Sequence, residues 1–248
     1  MIVRALALLV AIALPALAQS TGDLMARGDA LDAKNKNQEA LEVYLEADKL
    51  KPDDAEILRR VAKQYAQLMV ETKDAGAQKE LGAKALAAAL RAKELAPRNS
   101  KVRLSLAIVY GRVAFLESPK RRVEMSRLIK EETDAALALD PKDGLAWHVL
   151  GRWNYELANF NPFLKSIAQA VFGKFPDASN EKAVEAFRKS IALGPTRLVN
   201  HVELGRALAA TGQKDEARSE LTKALAMPSA EKDDEEAKAR ARKALASL

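Results

Sequence analysis

The chain has 248 residues, of which 30% are charged, 5% are aromatic and none is cysteine. A sequence without cysteine excludes a disulfide framework, a thiol nucleophile and a lipid-modified cysteine. The formal net charge is +6. Without the first eighteen residues, whose single charged side chain is Arg4, it would be +5. Because alanine, leucine and charged residues dominate over aromatic and β-branched ones, the composition favours an all-helical protein.

Residues 1–18 have the features of a secretory signal. A basic start ends at Arg4, an apolar run follows from Ala5 to Leu14, and the stretch closes on Ala16-Leu17-Ala18. This pattern predicts a signal peptide that is cut after Ala18. The apolar run is shorter than the roughly 20 residues needed to span a bilayer, so an uncut anchor is the weaker alternative. We therefore expect a soluble product exported to a bacterial periplasm.

The first predicted repeat covers residues 21–52 and consists of two helices that close on Pro52. Its small and apolar residues recur at intervals of three and four, as on one face of a helix. They are Leu24, Gly28 and Leu31 on the first helix, and Ala40, Tyr44 and Ala47 on the second. Asp53 and Asp54 then offer an N-cap for the next helix.

The second and third predicted repeats, residues 53–97 and 98–141, keep this pattern but are longer. Each is about ten residues longer than the roughly 34 of an ordinary helical repeat of this kind, so we expect extended helices. Ser118-Pro119 predicts a helix start in the third repeat, because proline at the first helical position loses no needed hydrogen bond.

The fourth predicted repeat, residues 142–195, carries the most specific motif. It opens with Trp147 and Leu150-Gly151, continues with Ala183 and Phe187, and ends at Pro195. This order resembles the signature of the tetratricopeptide repeat, a hairpin of two helices. The inserted segment 158–180 contains an apolar stripe at helical spacing, which we expect to pack over its own hairpin; the alternative is a partner-binding helix.

The fifth predicted repeat covers residues 196–229, and a charged, alanine-rich helix is predicted for residues 230–248. A repeat array needs such a polar cap at its end. The sequence therefore predicts an all-α fold, an α-solenoid of about five tetratricopeptide-like hairpins with a C-terminal capping helix. Residues 19–248 would form a single domain.

Residues 147–238 also resemble one particular family. Here the tryptophan helix is followed by an inserted Phe172-Gly173-Lys174-Phe175-Pro176, then Gly194-Pro195, Leu204-Gly205, and an acidic run after Met227-Pro228. This order is similar to the repeat domain of the regulator of microtubule dynamics family. The resemblance implies an adaptor without catalytic activity. Its eukaryotic link to microtubules does not apply to an exported bacterial chain.

The sequence carries no recognisable catalytic motif. It contains neither a nucleotide-binding glycine loop nor an H-E-x-x-H motif. The two histidines, His148 and His201, lie near the starts of consecutive first helices, a placement that could bring them together across a repeat interface. A metal site would still need carboxylate ligands that the sequence does not place, so we predict no metal, no cofactor and no enzyme.

A ligand groove is predicted on the first helices, since tetratricopeptide arrays of this kind use positions one and five after the first signature residue. Cations recur at the second of these positions, where Arg and Lys favour a carboxylate or phosphate ligand. The alternative is that they are surface residues paired with nearby acids. The predicted groove residues are Arg59, Lys63, Leu104, Ile108, His148, Arg152, Tyr155, Val202 and Arg206.

The predicted function is therefore a scaffold that binds a protein or an acidic peptide. Two alternatives remain: a periplasmic binding module for a small anion, and a membrane-surface scaffold acting through the basic stretch 238–243. Nucleic acid is not an expected partner, because an exported chain with few aromatic residues offers little for bases to stack on. The sequence does not predict an oligomeric state.

Overall fold

The computed structural model describes residues 20–248, and the predicted signal segment, residues 1–18, lies outside them. The described part of the chain contains twelve α-helices, a short 3-10 helix (Ala114–Leu116) and no strand. This confirms the all-helical prediction. The helices are α1 (Thr21–Asp32), α2 (Asn37–Leu50), α3 (Ala55–Glu71), α4 (Ala75–Leu95), α5 (Ser100–Val113), α6 (Pro119–Leu139), α7 (Gly144–Ala158), α8 (Pro162–Phe172), α9 (Asn180–Leu193), α10 (Leu198–Ala210), α11 (Lys214–Ala226) and α12 (Asp234–Ala246).

Five helical hairpins are stacked in chain order. The hairpins are α1/α2, α3/α4, α5/α6, α7/α9 and α10/α11, and the second helix of each packs on the first helix of the next. Helix α12 packs on α10 and α11 and covers the end of the stack. The α-solenoid with a C-terminal capping helix is thus confirmed.

The seam inside a hairpin depends on a glycine that faces a large side chain. A Cβ placed on Gly28 would lie 2.4 Å from the Tyr44 ring, and one on Gly151 would lie 2.6 Å from the Phe187 ring. Both rings are fully buried. The signature glycine therefore lets the two helices approach closely enough to enclose an aromatic ring.

The starts of the long first helices are fixed by side-chain caps. Asp54, Asn99 and Asp143 each accept hydrogen bonds from two backbone N–H groups of the following turn. Each cap satisfies donors that have no partner within the helix. Because each follows a proline that ends the previous hairpin, the turns between units are short and the first helices stay in register.

The extra length of the second and third repeats lies largely in their second helices. Both α4 and α6 have 21 residues. In the fourth repeat, Asn161 caps α8, and this helix packs mainly on α6 rather than over its own hairpin as the sequence predicted. The long α6 provides the extra surface, on which Ala168 is buried while Phe163 stays 64% exposed.

Candidate functional site

The first helices of successive hairpins form one continuous surface, which we call the first-helix face. Contacts join α3 to α5, α5 to α7, and α7 to α10. Two ion pairs attach α1 to α3: Arg60 binds Asp29 at 2.6 Å, and Lys63 binds Asp32 at 2.6 Å. This surface is the one on which the sequence predicted a groove.

A loop from the far end of the chain reaches across this face. The loop, residues 227–233, connects α11 to α12, and we call it the crossing segment. The Lys232 ammonium group donates a hydrogen bond to the carboxylate of Glu71, at the end of α3. Since these residues are 161 positions apart, the array must curve until its last unit meets its second. The first-helix face is therefore the inside of the curve.

A cavity of about 350 Å³ lies on this face beside the crossing segment. Its polar residues come from several separate parts of the chain, and its apolar residues come from α3 and the 3-10 helix region. The lining residues are Gln67, Met69, Val70, Gln78, Arg112, Phe115, Leu116, Arg152 and Asp233. Val70 and Phe115 are 60% and 70% exposed, so the cavity opens onto an apolar rim.

Arg112 is the most deeply placed cation of this cavity. Its Nη1 donates a hydrogen bond to Gln67 at 2.6 Å, and no carboxylate of residues 20–248 lies within ion-pair distance of it. Burial lowers the pKa of the guanidinium, although the negative charges of Asp233 and Glu71 oppose this effect. Because a guanidinium has five donors, Arg112 retains hydrogen-bonding capacity toward an anion in the cavity.

Arg152, a predicted groove residue, lines the same cavity. Its side chain is 45% exposed, and the nearest carboxylate, Glu156, lies 3.8 Å away on the same helix. An exposed pair at that distance contributes little to stability. Arg152 and Arg112 thus present two guanidinium groups to one opening.

The other predicted cations of the groove are already bound to acids. Arg59 binds Glu56 at 2.9 Å, and Lys63 binds Asp32 as described above. Arg206 binds the buried carboxylate of Glu203 at 2.6 Å. Its guanidinium also lies over the ring of Tyr155, 4.7 Å from the centroid. For these residues the structure agrees with the alternative interpretation, in which the cations are surface residues paired with nearby acids.

Three further predicted groove residues face the interior. Leu104, His148 and Val202 are all at most 7% exposed, and Ile108 is half-buried beside Leu104. The position directly after the first signature residue packs against neighbouring helices in these units. These side chains stabilise the wall of the groove and offer no surface to a ligand in this conformation.

The two histidines are held by separate partners. The His148 ring packs against Phe187, and burial followed by the charges of Arg197 and Arg152 lowers its pKa to about 3. His201 Nδ1 lies 2.6 Å from Glu220, and its Nε2 lies 3.2 Å from the Pro195 carbonyl oxygen. In the part of the chain that the structure describes, no three metal-binding side chains come together.

The C-terminal helix does not have a free apolar face. Ala237 and Ala241 are buried against α10 and α11, and the Lys238 side chain is only 12% exposed. Arg240 lies 3.4 Å from the buried Glu203 and 2.8 Å from Glu236. None of the helices within residues 20–248 is both long and apolar enough to cross a bilayer.

Sequence reasoning missed part of this site. Gln67 and Arg112 lie four residues beyond Lys63 and Ile108, so they occupy the next turn of the same helix face. The groove therefore extends one helical turn beyond the predicted positions, and the repeat length did not indicate this, because the extra residues lie largely in the second helices. The sequence also predicts that the capping helix starts at residue 230, but α12 begins only at Asp234, whose carboxylate binds the backbone of the preceding turn.

The family of the chain follows from comparison with known proteins. A family model described as "Regulator of microtubule dynamics protein 1-3" matches residues 24–248. The chain belongs to this family. The match extends the resemblance, which the sequence alone placed at residues 147–238, to nearly the whole array. The matched residues therefore include those of the first three hairpins from residue 24 onward and those that line the cavity.

Individual relatives are distant in sequence. The chain is 27% identical over 174 residues to regulator of microtubule dynamics protein 3 of Xenopus laevis, which covers 69% of this chain and 38% of that protein. It is 25% identical over 228 residues to protein 1 of Mus musculus, covering 91% and 74%. The chain thus spans well under half of protein 3 and about three quarters of protein 1.

Solved structures support the same architecture. The crystal structure of a thermophilic TPR protein from Thermus thermophilus matches with a TM-score of 0.66. The match covers 92% of this chain and 100% of that one at 19% identity. At this identity the likeness shows the tetratricopeptide fold alone.

Proposed function

We propose that this chain is an exported, non-catalytic scaffold that binds an acidic segment of a protein partner on its first-helix face. The observation that carries the proposal is the cavity in which Arg112 and Arg152 meet the apolar Val70 and Phe115. Guanidinium groups bind carboxylates with two parallel hydrogen bonds, and exposed apolar side chains supply contact area for a peptide.

The export part of the proposal rests on the composition of residues 1–18. The expected amino terminus of the protein from cells is Gln19, found in the periplasmic fraction by mass spectrometry. A cytoplasmic product that begins at Met1 would contradict export. The microtubule activity that names the relatives is not included, because a periplasmic chain would meet no microtubules.

The binding proposal is tested by affinity capture from an envelope extract with residues 19–248 as bait. Arg152→Glu places a negative charge in the cavity and is expected to abolish retention of the captured protein. Arg127→Glu is the matched control, since Arg127 on α6 also lies 3.8 Å from a glutamate four residues later and is 54% exposed. Equal loss with both variants, or retention with Arg152→Glu, would contradict the proposed groove.

The cavity also supports a second candidate, a small anionic ligand. Its volume of about 350 Å³ and its two guanidinium groups suit a carboxylate with a short apolar part. A thermal-shift screen with small carboxylates separates the candidates. Stabilisation by such a ligand that Arg152→Glu removes, together with no captured protein, would favour the small ligand.

A further inference from the structure

The crossing segment is a folded loop with its own hydrogen bonds. The carboxylate of the buried Asp234 accepts hydrogen bonds from the backbone N–H groups of Ala230, at 2.8 Å, and Glu231, at 2.7 Å. The Ser229 hydroxyl donates to Glu235. These bonds fix the direction in which the loop presents the side chains of residues 231–233.

One acid of this presented part binds a cation at the rim of the first-helix face, and the other lines the cavity. The Glu231 carboxylate accepts from Arg197 Nε at 2.7 Å and from Arg197 Nη2 at 2.8 Å. Asp233 lines the cavity with Arg112 and Arg152, and its charge acts on the Arg112 guanidinium. The residue between them, Lys232, reaches the opposite wall at Glu71.

This loop therefore occupies the position that an acidic partner segment would take. It brings the carboxylate of Asp233 to the cavity, beside the two guanidinium groups. The Lys232–Glu71 pair is partly exposed, with Lys232 39% exposed, and such a pair contributes about 0 to 1 kcal/mol. An external ligand can therefore replace this contact at the cavity without unfolding the array.

We propose that residues 227–233 are an intramolecular occupant of the first-helix face, which an acidic partner segment must displace in order to bind Arg112 and Arg152. This inference rests on the proposed function and identifies both the partner's chemistry and the regulation of its site. A tethered occupant acts at an effective concentration on the order of millimolar. The apparent affinity of an external ligand is then its intrinsic affinity multiplied by the fraction of molecules in which the site is free.

The test uses the purified chain and a fluorescent synthetic peptide with the sequence of residues 227–236. A released variant, Lys232→Ala with Asp233→Ala, removes the two side chains that the loop directs to the cavity and to Glu71, and it leaves Asp234 and the Glu231–Arg197 pair intact. Fluorescence anisotropy is expected to show at least about tenfold tighter peptide binding by the released variant than by the unchanged chain. Adding Arg152→Glu to the released variant is expected to remove this gain.

The matched control is Lys223→Ala with Asp215→Ala, two exposed residues of α11 with the same change of charge. This control is expected to bind the peptide as weakly as the unchanged chain does. Circular dichroism verifies that all variants keep their helices.

The other outcomes overturn the inference. If the released variant and the unchanged chain bind the peptide equally well, the loop does not obstruct the face. The proposed function would still stand in that case if Arg152→Glu weakens both. If neither binds, the loop is not a ligand of the face, and the capture experiment decides the proposed function independently.

Discussion

At Gly151, a single hydrogen atom occupies the space between two helices. We expect Gly151→Ala to destabilise the protein by about 1–3 kcal/mol, because the added methyl group would lie 2.6 Å from the buried Phe187 ring. Gly111→Ala is the control, since its methyl group would meet only Ile129, at 3.8 Å. That change is expected to stabilise α5 by about 0.5–1 kcal/mol. Urea denaturation measures both, and equal effects would contradict the close approach.

The buried His148 makes stability depend on pH. Its folded pKa of about 3 lies below the ordinary value of 6.5, so the unfolded chain binds a proton that the folded chain does not. The free energy of unfolding should therefore fall as the pH drops below 6.5. Between pH 7 and pH 5, His148 is expected to lower the free energy of unfolding by about 2 kcal/mol.

The measurement is urea denaturation at several pH values, with His148→Gln as the comparison because glutamine does not titrate. The charged groups around His148 are Arg197, Arg152 and Arg240, which stay charged across this range. The ordinary titration of carboxylates lies lower, near pH 4. If His148→Gln loses as much stability as the unchanged chain between pH 7 and pH 5, His148 does not cause the dependence.

Single residues were predictable where the repeat pattern fixes their packing. The seam between Gly151 and Phe187 follows from the signature itself. The pairing of Arg206 with Glu203 did not follow, because the pattern gives a helix face but not which acid neutralises which cation. The burial of Leu104, His148 and Val202 depends on how tightly successive units stack, which helical spacing alone does not determine.

Among the elements, α8 is attached to the array by a small surface. We expect Ala168→Asp to detach α8, because Ala168 is fully buried and an unpaired carboxylate there costs several kcal/mol. Since α8 packs mainly on α6, the hairpins should stay folded. Hydrogen exchange should show faster exchange in residues 162–172 with an unchanged thermal midpoint.

Gln169→Asp is the matched control, because Gln169 is an exposed residue of the same helix that does not line the cavity between α8 and α6. It should leave the exchange of α8 unchanged. Global unfolding caused by Ala168→Asp would show instead that α8 is an integral part of the core.

Helix starts were largely readable from the sequence. Ser118-Pro119 begins α6 as predicted, because the cap and the proline act locally, and Asn161-Pro162 begins α8 in the same way. The packing of α8 on α6 could not be predicted from the sequence, since it depends on how far the long α6 extends beyond its hairpin. The start of α12 was displaced because Asp234 bonds back to the preceding turn, which delays the helix by four residues relative to Ala230.

At the scale of the whole molecule, the array curves until the segment after its last hairpin contacts the second hairpin. The number and order of hairpins follow from the spacing of the prolines, because each hairpin packs mainly against its neighbours in the chain. The contact between Lys232 and Glu71 does not follow, since it depends on the curvature accumulated over several units. The candidate site lies where these distant parts meet, which is why its central residue, Arg112, was missed.

The contact between the crossing segment and the second hairpin is tested most directly by a distance measured across the first-helix face. The sequence has no cysteine, so Val70→Cys and Ala230→Cys can each carry a single nitroxide label; both positions are exposed. Double electron–electron resonance is expected to give one short, narrow distance distribution, because the crossing segment holds the last unit against the second. A long or broad distribution would mean that the array is open, and it would contradict both the contact across the first-helix face and the occupant that we propose for the cavity.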